Sequence, residues 1–474
     1  MASLPITGLA GEPVQVDESS LDAFAGDLDG QLLRPEDEGY VDSVALWNAM
    51  ITKRPALVVR AGSKADATRT VNFVAVNGLE LSIRGGGHNI AGLALSDGGI
   101  TLDMSGLREV EVDTDAGLAR VAAGATLGDV DRATQAEGLA TTLGFVSGTG
   151  TAGLTLGGGF GYLTRRFGWT VDDLESAEIV TADGTTRVAS RDDEAELFWA
   201  LRGGGGNFGV VTEFTYRLHD VGPQMTGGII AWPGSEAERV LEAFRAASSA
   251  APRELTLVAL RRNAPPAPWL PESAHGTPII AVVACHTGEV SSAAADLEPI
   301  TSLGGELANT IQAKDYTAQQ SMLDATQPKG MHYYWKSEFV PELSDGLLAA
   351  YNEQFVDLKA PANQMVLFQV DGALNEHPED DGAMGNREAA FACVIQAMWA
   401  PDSPAGDSNR DWVRKAWQAV RPFSTGGNYV NFQTADEPDE RTEESYRGNF
   451  QRLQAAKSRY DPDNLFRVNR NIRG

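Results

Sequence analysis

Glycine is unevenly placed in this chain, and its placement is the strongest constraint on the fold. Of 51 glycines, the dense clusters run from Gly85 to Gly87, from Gly144 to Gly161 and from Gly203 to Gly209. All three precede residue 220. One run is commonly a tight turn. Three within the first 210 residues point to backbone held open for a ligand, because missing side chains let a ligand approach and successive N–H groups form an anion-binding concavity.

Gly148-Thr-Gly-Thr-Ala-Gly153 fits the dinucleotide pattern G-x-G-x-x-G, and Asp173 stands 20 residues past its last glycine, where a ribose-binding acid belongs. That motif must open a helix. Here Leu-Thr-Leu-Gly-Gly-Gly-Phe-Gly161 follows, and four glycines at 157–161 would cost a helix about 4 kcal/mol relative to alanine. An ordinary helix is therefore not expected, and a Rossmann site is rejected. The alternative is a dinucleotide cradled by two loops, 84–92 and 148–161, without that helix. His88 sits inside the first loop, where an imidazole can touch or bond to a flat cofactor.

After residue 222 the glycine clusters give way to PPAP at 265–268 and PDSP at 401–404. This shift marks the main boundary and separates 1–221, with a core at 50–220, from 222–420 and 421–474. Strands are expected at 56–60, 79–83, 100–103, 120–123, 177–181, 210–218, 279–285, 365–373 and 390–399. Helices are expected at 66–77, stopped by Gly78, and at 127–137, 236–248, 411–420 and 443–459. The acidic segment 437–444 reads as a solvated loop or helix start. The fold class is α+β.

Acidic residues number 65 against 38 basic ones, a net charge of −27. That excludes a basic phosphate-neutralising stripe and attraction to anionic membrane, so neither nucleic acid nor membrane is an expected partner. The first residues show no basic and apolar leader, and LPITG at 4–8 is read as a chance match to a sortase signal. Two cysteines, Cys285 and Cys393, are too few for a disulfide framework or a cysteine metal site. A cytoplasmic globular enzyme is expected. Arg outnumbers Lys 30 to 8. A salty host cytoplasm and a GC-rich genome both remain open as causes of the acidity and of this bias.

The motifs resemble those of flavin-linked oxidases of the berberine-bridge-enzyme type, within the vanillyl-alcohol-oxidase superfamily. They are Arg84-Gly-Gly-Gly-His-Asn-Ile-Ala-Gly92, Thr149–Gly161, Leu197–Val211, Tyr429-Val-Asn431 and the tail Leu453–Ile472. The resemblance covers 40–220 and 420–474 well and the middle loosely. It implies an FAD-binding domain of the vanillyl-alcohol-oxidase type made from both ends of the chain, with an inserted substrate domain, an antiparallel sheet covered by helices. It implies FAD contacts from Arg84, Gly85, Gly86, Gly87, Asn89 and Gly92 in the first loop. The second loop would add Val146, Thr149, Gly150, Gly153, Leu154 and Gly157. Gly209, Val211, Tyr429 and Asn431 complete the set. It also implies a covalent bond from His88 to the flavin 8α-methyl. Relatives that bond flavin twice use a cysteine where Val146 stands, so a single link is expected, as in hydroxynicotine oxidases.

Flavin takes a hydride from a carbon bearing O–H or N–H. Tyr429 is the candidate acid/base group. A phenol titrates near ~10 and needs a partner near neutral pH. Gln369 and Asp371 share a face of the expected strand 365–373, and similar Gln-x-Asp pairs occur in sugar-oxidising relatives. A carboxylate raises a phenol pKa, so Asp371 is the expected proton acceptor. Thr149 stands where relatives gate oxygen. The resulting expectation is an oxidase acting on a sugar, glycoside or other secondary-metabolite hydroxyl, with O2 as acceptor and H2O2 as product. An amine oxidase, a dehydrogenase with another acceptor and a non-enzymatic flavin-bearing fold are the alternatives. No metal site is expected.

Overall fold

The computed structural model describes residues 2–355, 358 and 360–474. Residues 3–7, which contain most of LPITG, form a strand paired with Pro13–Asp17. A four-stranded sheet follows, built from β1 (Gln31–Leu33), β2 (Leu57–Arg60), β3 (Leu81–Arg84) and β4 (Ile100–Asp103) in the order β1-β2-β4-β3. β4 runs parallel to both β2 and β3. The crossover between β2 and β3 is α1 (Ala65–Asn77), which buries Ala67, Thr70, Val71 and Val74. Gly78 ends it at φ 62°, a left-handed conformation that a side chain would strain.

The second sheet is antiparallel. Its strands are β5 (Val110–Asp113), β6 (Leu118–Ala122), β7 (Leu174–Val180), β8 (Thr186–Ser190) and β9 (Val210–Arg217), in the order β8-β7-β9-β6-β5. α2 (Leu127–Gln135) opens with a capping box in which Thr126 and Asp129 bond reciprocally. Both sheets share one core with the C-terminal helices α8 (Asp439–Tyr446) and α9 (Phe450–Tyr460) through Tyr446, Leu453 and Phe466.

The middle of the chain forms a third, antiparallel sheet. Its long strands are β10 (Gln224–Pro233), β11 (Leu255–Asn263), β12 (Pro278–His286), β13 (His332–Val340), β14 (Gln364–Gln369) and β15 (Phe391–Trp399). They run in the order β10-β12-β11-β14-β15-β13, with short strands 308–309 and 312–315 on β10. Leu257, Val282 and Ile395 face α4 (Ala237–Ala250), α5 (Val290–Thr301), α6 (Asp345–Glu353) and α7 (Gly406–Val420), which supply Val240, Phe244, Leu297, Leu347 and Val413. Each such side chain, fully buried, contributes about 1.5–3 kcal/mol. Val258, Val283 and Phe368 face the opposite way, toward the glycine loops. A strand buried on both faces cannot show polar alternation, which is why β11, β12, β14 and β15 read as apolar runs.

Several sequence expectations are corrected here. Residues 151–156 do form a helix, α3, with Gly153 inside it, and only Gly157 stops it. The glycine penalty falls on 157–161, after that turn. Asp173 binds no ribose: it is 2 % exposed, bonds His219 at 2.6 Å and accepts from Thr142 N. The expected helix 443–459 is two helices, broken at Arg447, which has φ 51°. Glu437 is not solvated; it pairs with Lys336 at 2.7 Å. The strand expected to run to 373 ends at Gln369. Among the described residues no helix is long and apolar enough to cross a membrane.

Candidate active site

A cavity of about 350 Å³ lies between the glycine loops and the inner face of the third sheet. Its floor is set by a backbone contact. A Cβ on Gly86 would lie 2.3 Å from Gly150 N, and one on Gly150 would lie 2.3 Å from Gly86 N. Real Cβ atoms do not approach so closely, so the two loops meet only because both positions are glycine. Gly87 turns the chain at φ 71°.

Two side chains shape the first loop. Arg84 pairs with Asp103 at 2.6 Å, its cross-strand partner on β4. Asn89 Oδ1 accepts from Ala91 N at 3.1 Å and Leu93 N at 3.0 Å, a local turn. The next position back is His88. Its ring stacks on Trp47, with centroids 5.3 Å apart and planes 15° apart, and Trp47 stacks in turn on Tyr333 of β13 at 3.7 Å. Burial, reinforced by Lys329, pushes the imidazole pKa down to about 4. The ring is therefore neutral near pH 7, with one lone pair free to bond.

Tyr429 is 3 % exposed and lines the cavity. Phe160 and Phe432 hold its ring edge-on at 5.1 and 4.8 Å between centroids. Its oxygen accepts a 2.9 Å hydrogen bond from Asn431 Nδ2, which also donates to Gly153 O at 3.0 Å. Burial drives the phenol pKa up to about 12, against the opposing pull of Asn431 and the Gly159 amide. A Cβ on Gly157 would lie 2.3 Å from Asn431 Nδ2, so Gly157 makes room for that amide rather than for a ligand.

Most residues singled out in the sequence converge on this cavity. Gly85, Gly86, Gly87, His88 and Asn89 line it from the first loop. Val146, Thr149, Gly150, Gly153 and Leu154 line it from the second, and Gly209, Val211, Tyr429 and Asn431 from the remaining motifs. Arg84, Gly92 and Gly157 are not in the wall. Arg84 braces β3 against β4, and Gly92 presents its carbonyl to Lys53 at 3.1 Å.

Gln369 and Asp371 do not reach the cavity. Gln369 is fully buried on the opposite face of the strand and donates to Ser248 O at 2.9 Å. Asp371 lies beyond the end of β14 and pairs with Arg165 at 2.7 Å. The inward residues of β14 are 364, 366 and 368, so the period-2 rule places 369 outward. The proton-acceptor reading of Asp371 is thereby withdrawn. Cys285 and Cys393 are buried and neither lines the cavity, and burial pushes both thiols well up. Trp169 and Tyr162 belong to the core.

Sequence reading missed part of the wall. Arg262, Gln364, Gln396 and Trp335 lie on β11, β14, β15 and β13, and Tyr446 and Arg470 come from the C-terminal segment. The available signal was Arg261-Arg262 inside the apolar run 255–263. Four buried polar atoms of the wall have no partner among the described residues: Gln327 Oε1, Trp335 Nε1, Tyr446 OH and Arg470 Nε. Unmatched buried groups cost about 1–3 kcal/mol each, so the wall is built to meet ligand polar atoms. Side-chain-free loops, a neutral histidine and these orphaned groups fit a flat dinucleotide such as FAD.

Comparison with known proteins agrees with that chemistry. Residues 55–190 match the family model described as FAD binding domain, and residues 428–473 match Berberine and berberine like. The chain is 29% identical to (R)-6-hydroxynicotine oxidase of Paenarthrobacter nicotinovorans, over 94% of this chain and 97% of that protein. A solved structure of 6-hydroxy-D-nicotine oxidase from Arthrobacter nicotinovorans superposes with a TM-score of 0.82 at 28% identity, covering 94% of this chain and 98% of that one. Xylooligosaccharide oxidase from Myceliophthora thermophila, solved with xylobiose, gives 0.85 at 20% identity over 96% and 99% of the two chains, a likeness of fold alone.

Proposed function

With family-model matches to an FAD binding domain and to Berberine and berberine like at the two ends of the chain and 29% identity to a hydroxynicotine oxidase, we propose that the protein is a berberine-bridge-enzyme-like FAD-linked oxidoreductase that removes a hydride from a hydroxyl-bearing carbon of a small molecule and passes the electrons to O2, giving H2O2. The observation carrying this reading is Tyr429. It is a buried phenol bonded to Asn431 in a cavity wall that contains no Asp or Glu among the described residues. Of the wall's groups able to exchange a proton, His88 sits in the first loop and Tyr446 beside the C-terminal segment, leaving Tyr429 to serve the substrate hydroxyl.

When bound, the flavin supplies a two-electron acceptor. The loops around Gly86 and Gly150 hold it through backbone, and His88, neutral and fixed against Trp47, forms the single covalent link of this reading. Val146 offers no second one. Val258, Leu260 and Phe368 of the third sheet keep water from the reacting carbon. Tyr429, in its phenolate form, holds the substrate hydroxyl and receives its proton as the C–H bond breaks, so turnover draws on the small phenolate fraction present below its raised pKa. Thr149, lining the cavity beside the loop contact, leaves room for O2.

A second reading, oxidation of an amine, is favoured by one observation. A wall without carboxylates lacks a strong base, and a neutral amine needs none. Similarity to a protein named hydroxynicotine oxidase points the same way. Anaerobic titration of the visible flavin spectrum with alcohols and amines, run on the wild type and on Tyr429→Phe, separates the two. Bleaching by alcohols that is lost in the variant supports the first reading. Bleaching by amines alone, retained in the variant, replaces it with the second.

A further inference from the structure

Four adjacent strands of the third sheet carry a single cross-strand row that points into the cavity. Arg262 on β11 is paired with Gln364 on β14, Gln364 with Gln396 on β15, and Gln396 with Trp335 on β13. All four line the cavity. Arg262 Nη1 donates to Gln364 Oε1 at 3.2 Å, and Gln364 Nε2 donates to Gln396 Oε1 at 2.5 Å. Each acceptor in the row is thus consumed by the neighbouring donor. What remains for a ligand is the Arg262 guanidinium at one end, the Gln396 Nε2 amide, and at the other end the Trp335 N–H, which has no partner among the described residues.

Arg262 is 9 % exposed, and its hydrogen-bond partners among the described residues, Gln364 Oε1 and Asn263 O, are both neutral. The protein treats other buried arginines differently. Arg165, Arg202, Arg387 and Arg441 are paired with Asp371, Asp172, Asp172 and Glu338. Arg261, next in sequence, is the exception: it is 8 % exposed and also meets only neutral groups, Asn352 Oδ1 and the Phe355 ring, but it faces the outer layer and not the cavity. Burying a cation without an opposite charge is strongly disfavoured, and for Arg262, which faces the cavity, a bound anion can supply that charge. The wall has no Asp or Glu among the described residues, in a chain with 65 acids and 38 bases.

Arg470, the other arginine of the wall, stands apart. It extends from the C-terminal segment beside Asn469, and its Nη2 is held by Gln433 O at 2.6 Å. That segment packs on the FAD-binding part, whereas Arg262 projects from the opposite sheet.

We propose that the substrate of this oxidase is a small organic anion, an alcohol bearing a carboxylate, and that the Arg262–Gln364–Gln396–Trp335 row is its carboxylate receptor. This rests on the oxidase reading above and narrows its substrate class. Arg262 offers the carboxylate a forked donor, and its charge repels protonated amines. Burial lowers its pKa by disfavouring the charge, and a bound anion reverses that penalty.

The test uses the oxidised, flavin-loaded enzyme. Benzoate and its neutral isostere benzamide are titrated while the visible flavin spectrum is followed, on the wild type, Arg262→Gln and Arg262→Lys. Benzoate is expected to bind the wild type, with Kd raised at least tenfold in Arg262→Gln and less in Arg262→Lys, while benzamide binds all three weakly and alike. Equal benzoate binding by wild type and Arg262→Gln overturns the proposal, as does benzamide binding as tightly as benzoate. Should Arg262→Gln fail to retain flavin, unchanged Kd in the charge-retaining Arg262→Lys together with tight benzamide binding overturns it as well. Anaerobic bleaching by mandelate and by methyl mandelate keeps the two readings apart. Equal bleaching by both leaves the oxidase reading standing and removes the carboxylate receptor. Benzoate binding that depends on Arg262, with bleaching by amines alone, keeps the receptor and removes the alcohol.

Discussion

Asn431 Nδ2 donates a 2.9 Å hydrogen bond to the oxygen of Tyr429, two residues earlier in the chain. The bond fixes the phenol in the cavity wall and partly offsets the burial that drives its pKa up to about 12. A raised phenol pKa makes phenolate scarcer at any given pH. If Tyr429 accepts the substrate proton, kcat/KM climbs steadily with pH and reaches no plateau below pH ~10. Tyr429→Phe should abolish that climb and lower kcat about 10²–10³-fold with alcohols. Asn431→Ala should shift the climb to higher pH. A flat wild-type profile from pH 6 to 10 would count against Tyr429 as the proton acceptor.

His88 has its imidazole pKa lowered to about 4 by burial. Its nitrogen therefore stays unprotonated well below the usual histidine range. Flavin attachment to the apoprotein, read as acid-precipitable yellow fluorescence, should run at a constant rate from pH 8 to 5 and slow only near pH 4. His88→Ala should release all flavin on acid precipitation. Precipitable flavin in that variant would place the link elsewhere.

Gly86 and Gly150 touch through backbone, with less room than one methyl requires. Gly86→Ala or Gly150→Ala must push the loops apart. Overpacking of this kind costs about 1–3 kcal/mol. The expected results are a lower Tm and loss of bound flavin, measured by the ratio of visible to ultraviolet absorbance. A variant with full flavin content would show that the loops separate without consequence.

Asp371 is joined to Arg165, whose side chain is 5 % exposed, and to Gln369 Nε2 at 3.1 Å. Asp371→Asn should lower stability by about 1–3 kcal/mol, less than for a fully buried pair because the Asp371 side chain is 30 % exposed. Arg165 keeps its carbonyl partners Pro252 and Ala251. kcat should stay within about twofold of wild type, since general-base loss costs 10²–10⁴. Denaturant unfolding beside steady-state kinetics checks both values.

The sequence by itself determined the loops that make the cavity floor. Arg84–Gly92 and Thr149–Gly161 were readable because their glycine runs stand out in the sequence; the turn at Gly87 is local, whereas the contact between Gly86 and Gly150 is made only when the two loops fold together. Tyr429 and Asn431 were picked out through the resemblance of Tyr429-Val-Asn431 to the family motif, and the bond that joins them spans only two residues. Only the tertiary structure decided which face of each inserted strand sees the cavity. Gln369 and Arg262 lie on strands buried on both sides, where no polar alternation marks an inner face. The phase of β14, with 364, 366 and 368 facing the cavity, sent Gln369 outward to Ser248, its end at Gln369 left Asp371 to pair with Arg165, and long-range pairing of β11, β14, β15 and β13 aligned Arg262 with Gln364, Gln396 and Trp335. Strand register is set by contacts distant in sequence, and a slip of one residue exchanges the two faces.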